Sequence, residues 1–156
     1  MAIPPYIAQL RKHIGHDLLM YVATAGIIHN EEGKLLLQYK GEGIGWSLPS
    51  GIMEPGETPA ESLFREVLEE TGLEVRPLKL VGVAGGPKYR HTYSNGDLGE
   101  PTILFFTCEV TGGTYGAYTD PETKDLGYFG ENELPELVVP YNMDMLFGRE
   151  DSFFDR

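Results

Sequence analysis

Apolar and polar positions along this chain fall into short blocks that each predict one element. After Pro4-Pro5, the segment YIAQLRKHIG spaces Tyr6, Ile7, Leu10 and Ile14 for a short amphipathic helix. MYVATAGIIH predicts a strand, Asn30-Glu31-Glu32-Gly33 a turn and KLLLQYK a second strand, so the two strands are expected as a hairpin. GEGIGWSLPSG is a glycine-rich loop with a short strand at Trp46-Ser47-Leu48. A helix follows at about 58–71. LEVRPLKLVGVAG is a strand region interrupted by Pro77, and GGPKYRHTYSNGDLGEP is a polar loop or loose hairpin. TILFFTCEV is the most apolar strand and is expected at the centre of a sheet. A loop, GGTYGAYTDPETKD, leads to a strand at LGYFG, and a terminal helix is expected after Pro140. Mixed strands with helices before, within and after them predict an α/β or α+β layered sandwich, read here as one domain over residues 1–156 with a short N-terminal helix and a C-terminal helix.

The middle helix is specified at both ends. Thr58 is a good N-cap, Pro59 suits the first helical position and Glu61 completes a T-x-x-E capping box. Gly72 is placed to end the helix in a left-handed conformation, with Leu73 closing it. At about 100° per residue, Leu63, Val67, Ala60, Thr71, Phe64 and Leu68 form one apolar stripe. Glu66 and Glu70 border that stripe, one turn apart, while Glu69 points outward. With Cβ atoms about 6 Å apart the two carboxylates repel, and less screening near a core edge makes the repulsion cost more. A cation between them reverses the sign, and hard oxygen ligands suit Mg²⁺ or Mn²⁺. The bland alternative is a solvated acidic helix face.

Composition narrows the partners. The formal net charge is −12 over 156 residues, which disfavours nucleic acid backbones and anionic membranes. A small phosphate-bearing substrate masked by divalent cations stays compatible with that charge. Cys108 is the single cysteine and lies in an apolar run, so it reads as a buried thiol. MAIPPYIAQLRK has no signal-peptide core and no run reaches membrane-spanning length, so a cytoplasmic protein is expected. His13, His16, His29 and His91 lack metal-ligand spacing.

The whole segment Gly51–Leu73 changes the weight of the bland alternative. It fits G-x5-E-x7-R-E-U-x-E-E-x-G-U, with U apolar, at Gly51, Glu57, Arg65, Glu66, Val67, Glu69, Glu70, Gly72 and Leu73. At average composition such a coincidence has a probability of roughly one in 10⁹. This is the Nudix box, and the chain resembles a Nudix hydrolase over nearly its whole length. The resemblance implies an α/β/α sandwich with a mixed sheet and hydrolysis of a diphosphate linkage in a nucleoside diphosphate derivative. It implies Glu66, Glu69 and Glu70 as divalent-metal carboxylates, the Gly51 carbonyl as a further ligand, and a Glu57–Arg65 pair bracing the loop against the helix. Water is activated by a carboxylate, with Glu66 the first candidate. Glu122 is the second, from a loop after the central strands, and Glu100 and Asp120 rank below it. One habit is broken: many relatives have Pro-Gly-Gly before the box, and this chain has Pro49-Ser50-Gly51.

The box gives the chemistry but not the substrate, since recognition loops vary within a family. Lys88, Tyr89, Arg90 and His91 are candidates for contacting phosphate or stacking on a base, with a plain exposed loop as the equal alternative. Trp46 is expected to pack rather than stack. A homodimer is left open, because Ile7, Leu10, Ile14, Phe147, Phe153 and Phe154 can pack on this core or on a second copy. The different-class alternative is a Nudix-fold module that senses a nucleotide without cleaving it.

Overall fold

The computed structural model describes residues 3–156; Met1 and Ala2, the start of the segment read as lacking a signal peptide, lie outside the described residues. Helix α1 spans Pro5–Ile14, followed by strands β1 (Leu19–Ile28), β2 (Leu35–Tyr39), β3 (Trp46–Ser47) and β4 (Ser50–Ile52). Then come α2 (Pro59–Thr71), β5 (Leu73–Ala84), β6 (His91–Thr92), β7 (Leu98–Gly113), β8 (Asp125–Phe129), α3 (Met143–Leu146) and β9 (Phe153–Phe154). The larger sheet runs β4-β1-β7-β5-β9, with β6 paired to β7, and the smaller runs β3-β2-β8. The larger sheet is mixed: β1 and β7 are parallel, while β4 and β5 join antiparallel. The apolar strand β7 lies between β1 and β5, at the centre of that sheet, as its composition predicted.

Two cores flank the larger sheet. Residues 23, 25 and 27 of β1 point with Ile103 and Phe105 into the first core, which α3 and the smaller sheet close. The alternate face carries Ile28 and Cys108, which pack with Leu63 and Val67 of α2. Gly26 lets the helix come close, because a Cβ there would meet Val67 Cγ2 at 3.3 Å. Ile7 of α1 is buried, and α1 lies near Leu19, Tyr21 and Ile52, on the face opposite α2. The result is the expected α/β/α layering. Cys108 is a free buried thiol. Among the described residues no helix is long and apolar enough to cross a membrane.

Three expectations are corrected. β1 and β2 do not form a hairpin: after the turn, where the Gly33 N–H donates to the Asn30 carbonyl, one bridge joins His29 to Leu35 and the strands part into different sheets. The cause is visible in the consecutive Leu35, Leu36 and Leu37, all fully buried; such a strand needs cover on both faces and finds it beside β8. Pro77 does not interrupt β5, which continues through it with register shifts on either side. Proline is tolerated because β9 pairs β5 only at Gly82 and Val83, so Pro77 faces an open edge. The terminal helix is a single short turn at Met143–Leu146. Gly148, at φ 79°, ends it, and Phe147 and Phe153 turn back onto the first core.

Candidate active site

The local signals of α2 are all realised. The Glu61 N–H donates to the Thr58 hydroxyl at 3.2 Å and the Thr58 N–H to the Glu61 carboxylate at 3.0 Å. Gly72 adopts φ 81° and its N–H reaches the Leu68 carbonyl. Glu66 and Glu70 are 4% and 0% exposed, whereas the Glu69 side chain is 44% exposed. The inward pair and outward third glutamate therefore match the helical-wheel prediction, although Glu70 lies inside the core rather than at its border.

Gly51 pairs with Thr24 of β1 and so lies on the face that α2 covers. A Cβ at this position would fall 1.9 Å from Glu66 Cδ and 2.2 Å from each carboxylate oxygen. The motif glycine is thus required by space rather than by its backbone angles, since it is absent from the positive-φ glycines. Ser50 is accommodated without strain, and its N–H donates to Glu70 Oε1 at 2.7 Å.

Arg65 is the hub of the outer half. Its Nε and Nη2 donate to Glu57 at 2.5 and 3.0 Å, its Nη1 to Glu66 Oε1 at 2.7 Å, and its Nη2 to the Ile52 carbonyl at 3.2 Å. Glu54 and Glu69 oxygens each lie 3.6 Å from the same guanidinium. The Arg65 hydrogen bonds hold Glu57 below the ordinary glutamate range, and Glu57 in turn raises Arg65. Glu66 is pushed up to about 7 by burial and by the charge of Glu70, against the pull of Arg65. Partial burial raises Glu69, opposed by Arg65. Burial raises Glu70, while Lys40, the Gln38 amide and the Ser50 N–H pull the other way.

Helix geometry adds to this excess of negative charge. Glu69 and Glu70 sit in the last turn, where the macrodipole is negative, and no basic residue of the helix compensates there. The loop after β7 supplies main-chain donors instead. Thr119 and Asp120 N–H groups both reach the Glu69 carbonyl, at 2.8 and 2.9 Å, and the Gly116 N–H reaches that of Thr71. Asp120, ranked below Glu122 from the sequence, contributes charge to both Glu69 and Glu70. Glu122 lies half-buried in the same loop, with its N–H donating to Asp120 Oδ1 at 2.9 Å.

The structure brings Gly51, Glu57, Arg65, Glu66, Glu69 and Glu70 together around the start and face of α2. Among the described residues no group of three or more His, Cys, Asp or Glu side chains converges closely enough to hold a metal ion. The reason is in the partners: Glu66 is turned to Arg65, Glu69 outward, and Glu70 to Ser50 and Lys40. The donor set nevertheless suits a hard cation, because Glu70 Oε2 is buried with no hydrogen-bond partner. Lys40 and Gln38 were missed by sequence reading, and Ser50 was noted only as a departure from the usual glycine. They reach Glu70 from other elements, and no local pattern marks Lys40 or Gln38.

The second candidate cluster is bound up in its own contacts. Lys88 pairs with Asp155 at 2.5 Å, Arg90 with Glu100 at 2.6 Å, and Tyr89 is buried in the first core. His91 is exposed and packs edge-on against Tyr93, whose hydroxyl lies 2.8 Å from that of Tyr21. Trp46 packs, edge-on to Phe129 at 5.0 Å.

The NUDIX domain model matches residues 20–146. The chain belongs to the NUDIX family. An ADP-ribose pyrophosphatase of Methanocaldococcus jannaschii is 34% identical over 122 residues, covering 77% of this chain and 68% of that protein. An 8-oxo-dGDP phosphatase of Homo sapiens is 44% identical over 82 residues, covering 51% of this chain and 24% of that protein. The crystal structure of an ADP-ribose pyrophosphatase from Streptococcus suis superposes with a TM-score of 0.67 at 25% identity, covering 86% of this chain and 98% of that one. The chain spans 58–69% of the length of several microbial relatives that it matches. The NUDIX domain is that of a hydrolase acting on phosphoric anhydrides, and hydrolases of this family generally use divalent metals.

Proposed function

We propose that this NUDIX protein hydrolyses the diphosphate linkage of a nucleoside diphosphate derivative by attack of water. The observation that carries the reading is the buried Glu66–Glu70 pair against Gly51, with one carboxylate oxygen left without a hydrogen-bond donor. Glu66, Glu69, Glu70 and the Gly51 carbonyl are the proposed ligands of Mg²⁺ or Mn²⁺. When bound, such a cation neutralises the diphosphate and stabilises charge on the departing phosphate. Arg65 and Glu57 are positioning residues: they fix Glu66 and hold the loop of Ile52–Glu57 against the helix. Glu66 is the first candidate to take the proton from water, a buried carboxylate that Arg65 holds in place within the proposed cation site. Glu122 is the second, on a loop tied to α2 by main-chain hydrogen bonds.

Relatives named for ADP-ribose and for 8-oxo-dGDP bracket the substrate class as a small nucleotide with a diphosphate bond. The proposal places the protein in the cytoplasm, as one domain over residues 1–156 that can pair as a homodimer. The test is product release with Mg²⁺ across a panel of ADP-ribose, oxidised nucleotides, nucleoside triphosphates, nucleotide sugars and dinucleoside polyphosphates. At least one should be cleaved, and Glu70→Gln should lower turnover by a factor of 10² or more. Near-normal turnover in a folded Glu70→Gln variant would refute the assignment.

A further inference from the structure

Glu70 holds its two oxygens in different ways. Oε1 receives the Ser50 N–H at 2.7 Å, a directed bond from the backbone of β4. Oε2 has no hydrogen-bond partner, although the side chain is fully buried. Among the described residues its ion-pair partner is Lys40 Nζ at 3.3 Å, an ammonium not aligned to donate, while the Gln38 amide adds a neutral dipole near the carboxylate. Lys40 sits at the end of β2, and its side chain is 13% exposed. The chain then enters Gly41-Glu42-Gly43-Ile44-Gly45, in which all three glycines have positive φ. The charge of Lys40 also reaches the Tyr93 phenol.

An ammonium on a four-carbon stem is a mobile point charge, unlike the forked guanidinium that grips Glu57 and Glu66. The two halves of the acidic cluster therefore have unequal counter-ions. Arg65 is fixed by four directed hydrogen bonds. Lys40 is held by charge alone. A divalent cation reaching Glu70 Oε2 and the ammonium would be like charges within a few ångströms in a poorly screened setting, so both cannot occupy the same contact.

We propose that Lys40 is an exchangeable counter-ion of Glu70, released when a divalent cation takes Oε2, and that it sets how tightly the site binds that cation. The exchange is non-covalent: a cation of charge +2 enters the contact as an ammonium of charge +1 leaves it. Lys40 is thus a positioning residue acting through Glu70, and the proposal rests on Glu70 being a cation ligand.

The test titrates Mn²⁺ into chelator-stripped protein at fixed pH and ionic strength, reading free Mn²⁺ by electron paramagnetic resonance. Lys40→Met should tighten binding by roughly tenfold or more, since the competing charge is removed. Lys40→Arg, which keeps the charge, should stay within a few-fold of the parent. The gain should vanish in the Lys40→Met, Glu70→Gln double variant, a coupling that a general structural role would not produce. Lys40→Gln serves if the methionine variant does not fold, as judged by circular dichroism. Unchanged or weaker Mn²⁺ binding in folded neutral variants overturns the Lys40 assignment while leaving Glu70 as a ligand. If Glu70→Gln alone binds Mn²⁺ as well as the parent, the Glu70 reading fails and the Lys40 proposal fails with it.

Discussion

The glutamate face of α2 and the loop at 86–98 are both dense in charge, yet they settle it in opposite ways. In the loop each cation meets its own carboxylate: Lys88 meets Asp155 of the tail and Arg90 meets Glu100 of β7. Asp97 likewise lies against Arg11 and His16, which pulls its carboxyl below the usual range. Charges there are balanced pair by pair: Lys88, Arg90 and His16 are exposed, and the buried carboxylates of Asp97 and Glu100 each have a cation against them. On α2, one arginine serves Glu54, Glu57, Glu66 and Glu69, and one lysine serves Glu70. Two of those carboxylates are buried. The lesson is that charge density does not mark a reactive site; buried charge left short of counter-ions does.

Three changes probe that contrast. The largest effect is expected from Gly51→Ala. Its new Cβ must expel the Glu66 carboxylate, and because the backbone there is unstrained, the fold should survive. Turnover should fall by a factor of about 10² or more with a melting temperature close to that of the parent. An active Gly51→Ala enzyme would show that the Glu66 position is not required.

The second concerns pH. Glu66 is raised in the folded state to about 7, so its contribution is present at low pH and is lost as pH rises through about 7. Stripped protein should therefore lose stability between about pH 5 and 8, by on the order of 1–3 kcal/mol relative to Glu66→Gln. Glu57 has the opposite sign: it is lowered, so its contribution is lost as pH falls below the ordinary glutamate range. Melting curves across pH, with and without Mg²⁺, check both signs. A Mg²⁺-induced rise in melting temperature that is no larger at pH 8 than at pH 5 would contradict the picture of an uncompensated buried pair.

The smallest effect is expected in the loop. Lys88→Gln removes an exposed partner of Asp155 and should leave the midpoint of a denaturant titration close to that of the parent. A larger loss would mean that this pair, too, is under strain.

The same contrast explains what could be read in advance. Helix α2 was legible down to its caps and its inward and outward glutamates, because Thr58, Glu61, Gly72 and the apolar stripe act within one or two turns of each other. Strand β7 was legible as central because its apolar run admits little else. The partition of β1 and β2 into separate sheets was not, since a turn at Asn30–Gly33 normally closes a hairpin and only the burial of Leu36 argues otherwise. Lys40 was invisible for a related reason. It meets Glu70 across 30 positions of sequence, through a strand of the smaller sheet whose placement depends on the complete fold. The pairing of Lys88 and Arg90 depends likewise on where the tail and β7 come to rest.

The loop of residues 114–124 grips the end of α2 through its backbone: Thr114, Gly116, Thr119 and Asp120 all offer N–H groups to helix-end carbonyls. A latch made of peptide groups is indifferent to what the side chains are. Its side chains are left for other work, Tyr115 stacking on Tyr128 and the Tyr118 hydroxyl donating to the Lys124 carbonyl, while the peptide groups alone keep the helix end closed.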